Sequence, residues 1–242
     1  MPTYGHRARI GYTSPPTATE VFPYEFYRIA PAGVTLIVTT LAIVEMDRAE
    51  IDESYDASLE LAKKLARAGA DIVVLGGKPI NQSHGLDDVA GLVSSTNASI
   101  GVPVTTSLNA QMAALSALGA RRVGALHPFA DSPQRDEMYR AELAHFGFDY
   151  VATLGAGAAA IDIGGLPVEA PIDLARRIMK AHPDIDTLHL SCPHWPVLET
   201  IEQIETELGV QVVAASQAIF WQAFRMCGVD DRIPGYGRLF RM

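Results

Sequence analysis

The stretch TLHLSCPHW, Thr187 to Trp195, runs a short apolar strand into a cysteine and then turns away at a proline and a histidine. A thiolate is an effective base and nucleophile, and a thiol is a good acid toward a carbanion. Cys192 is one of two cysteines in the chain. At a strand end it reads either as a reagent or as a small buried hydrophobe, the usual fate of a free cysteine. Cys227, in FWQAFRMCGV, lies on a helical pattern among apolar neighbours and reads as packing.

Other groups of similar chemistry also sit where strands end. Lys78, in GGKPINQSHG, follows a strand and could hold a carboxylate or stand in solvent. His84, in the same loop, reads as a turn residue. His127 ends a strand in ALHPF, while His189 sits mid-strand in TLHLS and reads as a satisfied core histidine. Ser14, Pro15 and Pro16 close the first strand in IGYTSPP. Ser216 and Gln217 begin the last helical pattern, where they could offer backbone amides to a carboxylate or simply cap the helix. PHWPVLETIEQIE reads as a helix beginning just after Cys192, whose first N–H groups would stabilise a thiolate or a bound carboxylate.

The elements that must position these residues alternate. ARIGYTS, GVTLIVTTL, ADIVVLGG, VPVTTS, RRVGALH, DYVATLG, DTLHLSC and VQVVAAS read as strands, mostly apolar throughout, as strands buried on both faces of a parallel sheet are. YDASLELAKKLARAGA, LNAQMAALSALGA, RDEMYRAELAHFGF, PIDLARRIMKAH and WPVLETIEQIETELG keep apolar residues at helical spacing. The acidic run DRAEIDESYD reads as a solvated helix start. Alternating strands and helices imply an α/β fold with parallel sheets.

The chain also repeats itself. ARIGYTSPP matches RRVGALHPF, GADIVVLGG matches DIDTLHLSC, and GVPVTTSLNA matches GVQVVAASQA, in the same order and about half a chain apart. The period is too long for a solenoid. It predicts two similar Rossmann-like parallel-sheet halves related by a pseudo-two-fold, with an active-site cleft between them. The expected boundaries are 1–112 with 214–242 for the first half, and 113–213 for the second. Ligands of such sheets lie beyond the carboxyl ends of the strands. In the repeat Cys192 corresponds to Gly77, and His127 to Ser14.

Composition narrows the function classes. The 242 residues carry a formal net charge of −9 and are 48% hydrophobic, enough chain for a substantial core. No apolar run reaches bilayer length, and the N-terminus does not read as a signal peptide, so no membrane partner is expected. Two distant cysteines suit reduced thiols and a cytoplasmic location. The acidic balance argues against nucleic acid. No Cys/His group has zinc spacing, and LGAGAAAIDIGG lacks the phosphate-binding register, so no metal or cofactor is expected.

On these residues the chain resembles the aspartate/glutamate racemase superfamily, and within it the arylmalonate decarboxylase and maleate cis-trans isomerase branch. IGYTSPP, ESYDASLELAKKLARAGADIVVLGG, LSC, ASQAIFWQAFRMCGV and IPGYGRLF carry the likeness, which spans nearly the whole chain. The resemblance implies a cleft in which racemases use two cysteines, and arylmalonate decarboxylases keep the second and have glycine at the first. Gly77 with Cys192 is the decarboxylase pairing. It also implies that Tyr55 matches a tyrosine near the site. The carboxylate pocket is remade, with Lys78 and Pro79 in place of small hydroxyl residues, Pro193 and His194 in place of two glycines, and Phe129 in place of a tyrosine.

The expectation is therefore a cofactor-independent decarboxylase of a malonate-like acid, with Cys192 protonating an enediolate. The alternatives are a maleate-type isomerase in which Cys192 adds to a double bond, a branch that the SQA at Ser216 to Ala218 resembles but that the missing first cysteine counts against, and a carboxylate-binding protein without activity. The expected partner is a small carboxylate substrate; homo-oligomer formation stays open.

Overall fold

The structure is a computed structural model that describes residues 4–45 and 47–242. By its internal contacts the chain divides into two units. The first runs to Ala110 and takes back Ile219–Asp231; the second comprises Gln111–Ala218 and Arg232–Met242.

The first unit carries strands β1 (Ala8–Pro16), β2 (Val34–Ile43), β3 (Ile72–Leu75) and β4 (Val104–Thr106). They form one parallel sheet in the order β2-β1-β3-β4. Its helices are α1 (Val21–Ile29), α2 (Arg48–Arg67), the single turn α3 (Lys78–Asn81) and α4 (Val89–Ile100). The acidic run does start a helix: the Asp47 side chain accepts from the N–H of Glu50 and caps α2, satisfying one of the donors a helix start leaves open.

The second unit repeats this plan with β5 (Arg122–Phe129), β6 (Asp149–Ala158), β7 (Thr187–Leu190) and β8 (Gln211–Ala214), in the parallel order β6-β5-β7-β8. Helices α6 (Pro133–His145), α7 (Ala170–Ala181) and α8 (Ile201–Leu208) belong to it. The division falls within α5 (Ser107–Ala117) and α9 (Ala215–Met226).

The repeat extends to an irregularity. Ser14 pairs with Thr40 but Pro16 with Ile43, so β2 carries an extra residue, and Ala42 there takes φ +60°. His127 pairs with Gly155 but Phe129 with Ala158, and Gly157 there takes φ +84°. The same bulge thus bends the same strand end in both units, a device that re-aims side chains near sites.

The cores explain the division. Phe220 and Phe224 of α9 pack their rings on Phe22 and Phe26 of α1, and Tyr12 stacks on Phe22 at 3.9 Å. The tail 232–242 groups with the second unit by its contacts, whereas the boundaries expected from sequence placed it with the first. The Arg238 N–H donates to Glu205 Oε2 at 2.9 Å, and Gln217 Nε2 donates to the Tyr236 carbonyl at 2.7 Å. Three helices, α1, the single turn α3 and α4, were not foreseen from the sequence. Among the described residues no helix is long and apolar enough to cross a membrane.

Candidate active site

In a parallel sheet of this order the chain reverses its winding direction between the first and third strands, and the carboxyl ends there open a crevice. In the first unit those ends belong to β1 and β3; in the second, to β5 and β7. The residues singled out from sequence fall mostly at these two places.

At the ends of β1 and β3, Ser14 and Pro15 are buried beside the turn Gly76–Gly77. The Gly76 N–H donates to the Thr13 carbonyl at 3.1 Å and to Thr13 Oγ1 at 2.9 Å, which ties the two strand ends together. Gly77 takes φ +82°, and a Cβ there would stand 2.8 Å from Pro15 Cγ. Lys78 opens α3 and is only 6% exposed, which sets aside its reading as a solvated loop lysine. A lysine is almost never this buried unless its charge is paired. Ser14 Oγ is buried with no hydrogen-bond partner among the described residues, an arrangement that leaves a donor available to a ligand.

Tyr55, on α2, does not join that turn. Its hydroxyl donates to Asp88 Oδ2 at 3.3 Å, and its ring lies 4.0 Å from that of the exposed His84. Burial and the Asp88 charge push its hydroxyl pKa up, so it stays a neutral donor.

At the ends of β5 and β7 stand His127, Phe129 and Cys192. The Ser191 N–H donates to the Leu126 carbonyl at 2.9 Å, the counterpart of the Gly76 bond to Thr13. The register therefore makes Ser191 equivalent to Gly76, and Cys192 to Gly77. Cys192 forms no disulfide and is 8% exposed. His127 is fully buried; its ring stacks on Tyr139 at 5.7 Å, and Nε2 lies 3.5 Å from Asp131 Oδ1. Gly155 of β6 makes room for this pair, since a Cβ there would stand 2.5 Å from His127 Cε1 and 2.9 Å from Asp131 Oδ1. The Arg135 guanidinium lies 4.4 Å from the Phe129 ring centre, a cation over an aromatic face.

One expectation fails here. No helix begins directly after Cys192. The Trp195 N–H reaches back to the Cys192 carbonyl at 3.4 Å, a 3₁₀ turn spans Leu198–Thr200, and α8 starts only at Ile201. Pro196 accounts for this, because in a helix starting at Pro193 its missing N–H would be the first intrahelical donor, to the Cys192 carbonyl. Pro193 and His194 are partly buried in this turn. The His194 Nε2 atom is enclosed, and burial pulls its imidazole down to about 4, so the ring is neutral near pH 7.

Ser216 is fully buried at the start of α9. Its neighbour Gln217 accepts from the Ala214 N–H at 3.2 Å and holds the tail, so Gln217 has a structural task. His189 is a core histidine as expected, with Nε2 2.8 Å from Gln111 Oε1. Sequence reasoning missed Tyr139, whose hydroxyl is hydrogen-bonded to Ser191 Oγ from across the unit. Among the described residues no group of three His, Cys, Asp or Glu side chains could hold a metal ion.

The comparisons with known proteins agree with this fold. The family model described as arylmalonate decarboxylase matches residues 10–240. The arylmalonate decarboxylase of Bordetella bronchiseptica is 32% identical over 238 residues, covering 96% of this chain and 95% of that protein. A crystal structure of an arylmalonate decarboxylase variant in its liganded form, with a glycine changed to cysteine and a cysteine to serine, has a TM-score of 0.88 at 30% identity, covering 96% of this chain and 98% of that one. The Nocardia farcinica maleate cis-trans isomerase bound to Tris has the same fold, with a TM-score of 0.86 at 22% identity over 97% of this chain and 98% of that one. The chain is an enzyme of the decarboxylase and isomerase branch of the aspartate/glutamate racemase superfamily, and it belongs to the arylmalonate decarboxylase family.

Proposed function

We propose that this enzyme is a cofactor-independent decarboxylase of a malonate-like acid, and that Cys192 protonates the enediolate left when carbon dioxide departs. The observation that carries this reading is the unequal pair at equivalent positions: a thiol at Cys192 and no side chain at Gly77. A two-base racemase needs an acid at each position, and glycine supplies none.

In the proposed reaction the bond between the α-carbon and one carboxyl breaks. Its electron pair passes into the remaining carboxylate, forming an enediolate, and carbon dioxide leaves. The Cys192 thiol gives its proton to the α-carbon and becomes a thiolate, which solvent reprotonates. The enediolate needs fixed donors around its oxygens in a site with little water. Lys78 is the cation proposed to hold the retained carboxylate, with Ser14 Oγ as a further donor. His127, Phe129, Pro193, His194 and Ser216 are proposed to shape the rest of the pocket. Tyr55, bonded instead to Asp88, is proposed to brace the loop after α3.

The test is a panel of phenylmalonate, methylmalonate, maleate and amino acids in deuterated water, followed by NMR. The expected result is loss of carbon dioxide from a malonate with one deuterium at the α-carbon. Conversion of maleate to fumarate with no malonate turnover would replace this reading with addition of Cys192 to a double bond.

A further inference from the structure

The residue before Cys192 is held in a way its counterpart is not. Ser191 is 5% exposed, and its Oγ lies 3.3 Å from the Leu126 carbonyl and within hydrogen-bond reach of the Tyr139 hydroxyl. A serine hydroxyl has one hydrogen and two lone pairs. Donation to Leu126 uses the hydrogen, so the Tyr139 hydroxyl donates to Ser191. The order is Tyr139 O–H to Ser191 Oγ–H to Leu126 C=O. The Ser191 N–H goes to the same carbonyl at 2.9 Å. Strand β5, strand β7 and helix α6 are thereby pinned at one residue.

In the other unit the equivalent residue is Gly76, where a side chain has no room: a Cβ would stand 2.0 Å from the Thr13 carbonyl oxygen. The side-chain anchor is therefore present beside the thiol and absent beside the glycine. Cys192 itself lies outside any helix or strand, in a turn closed by the 3.4 Å bond from Trp195. Its placement is therefore set by that turn and by the residue before it. Tyr139 is fully buried, and burial pushes its hydroxyl well above the ordinary range, with a Cys192 thiolate acting in the same direction. It is a permanently neutral donor whose surroundings feel the charge on Cys192.

We propose that Tyr139 is a positioning residue for the Cys192 thiol, acting through Ser191. This rests on the decarboxylase reading above. Proton delivery to carbon depends steeply on placement, and a displacement of about 1 Å can cost about a hundredfold in rate. The clamp sets that placement without touching substrate.

The experiment compares the full-length parent with Tyr139→Phe, Ser191→Ala, Ser191→Thr and the double variant Tyr139→Phe/Ser191→Ala. Turnover of phenylmalonate is measured beside alkylation of Cys192 by iodoacetamide across pH, read by peptide mass spectrometry with Cys227 as internal reference. Tyr139→Phe and Ser191→Ala should lower kcat about tenfold to hundredfold with little change in KM. They should shift the alkylation profile of Cys192 and leave that of Cys227 in place. The double variant should be no worse than either single one, because both cut the same link. Ser191→Thr keeps a hydroxyl and should keep most of kcat, which guards against a Tyr139→Phe protein that folds poorly. Variants that melt earlier but keep the parent's kcat and Cys192 profile would overturn the clamp alone. Alkylation of parental Cys192 that spares turnover would overturn the clamp and the decarboxylase reading together.

Discussion

A Cβ placed on Gly77 would stand 2.8 Å from Pro15 Cγ and 2.9 Å from Ile80 Cδ1, on a backbone at φ +82°. The absence of a side chain at this position thus has a steric cause as well as a proposed chemical one. Gly77→Cys should fold with a lower melting temperature, since a strained backbone residue costs about 1–3 kcal/mol. The Ile80 methyl can move, and Pro15 must repucker. If positions 77 and 192 act on one substrate, the variant should exchange and racemise the α-proton of 2-phenylpropionate in deuterated water, which the parent should not. A folded Gly77→Cys protein that neither exchanges that proton nor loses stereocontrol would show that they do not.

Lys78 is buried where a carboxylate is proposed to bind. Lys78→Met preserves much of the side-chain shape and removes the charge. A charge-assisted hydrogen bond is worth about 1.5–3 kcal/mol, so KM should rise about tenfold to hundredfold. Steady-state kinetics on the substrate identified by the panel checks this. An unchanged KM would assign Lys78 to structure.

His194 gives a pH signature. Its pKa falls from 6.5 to about 4 because burial disfavours the charged ring. Between those values the unfolded chain binds the proton and the folded chain does not. The stability from a neutral His194 is therefore complete above pH 6.5 and is lost as pH falls toward 4. His194→Gln should flatten this part of the melting curve against pH. A drop in melting temperature identical to the parent's would mean that other groups carry it.

The two thiols should behave differently. Burial, with Asp71 adding, pushes the Cys227 thiol up to about 11, so it is almost wholly protonated at pH 8. Cys227→Ala should leave turnover at the parental level, and iodoacetamide at pH 8 should modify Cys227 slowly. Loss of turnover in Cys227→Ala would reopen the choice of reactive thiol.

Much of this was legible in the sequence, for physical reasons. Strands buried on both faces are mostly apolar runs, so IVVL stood out, and the repeat that matches it to TLHL placed Gly77 and Cys192 at equivalent strand ends. Helix α1 was missed because VFPYEFYRI is short, aromatic and carries Pro23. Helix α4 was missed because VAGLVSSTNASI is rich in poor helix formers. Apolar spacing from Trp195 onward suggested a helix where the chain makes a 3₁₀ turn at Leu198–Thr200 and α8 starts only at Ile201. The bond between Tyr139 and Ser191 joins residues 52 apart in the chain, and no local pattern announces a contact of that range. Burial of Lys78 was equally invisible, because a lysine after a strand looks the same in either state.

The central claim is that the Cys192 thiol delivers the proton. The most direct measurement is carbon dioxide release from the active malonate by Cys192→Ala, beside a melting curve to establish folding. A positioned general acid contributes about a hundredfold to ten-thousandfold, so turnover should fall by at least about a hundredfold while the melting temperature stays near that of the parent. A folded Cys192→Ala enzyme that decarboxylates at the parental rate would contradict the account.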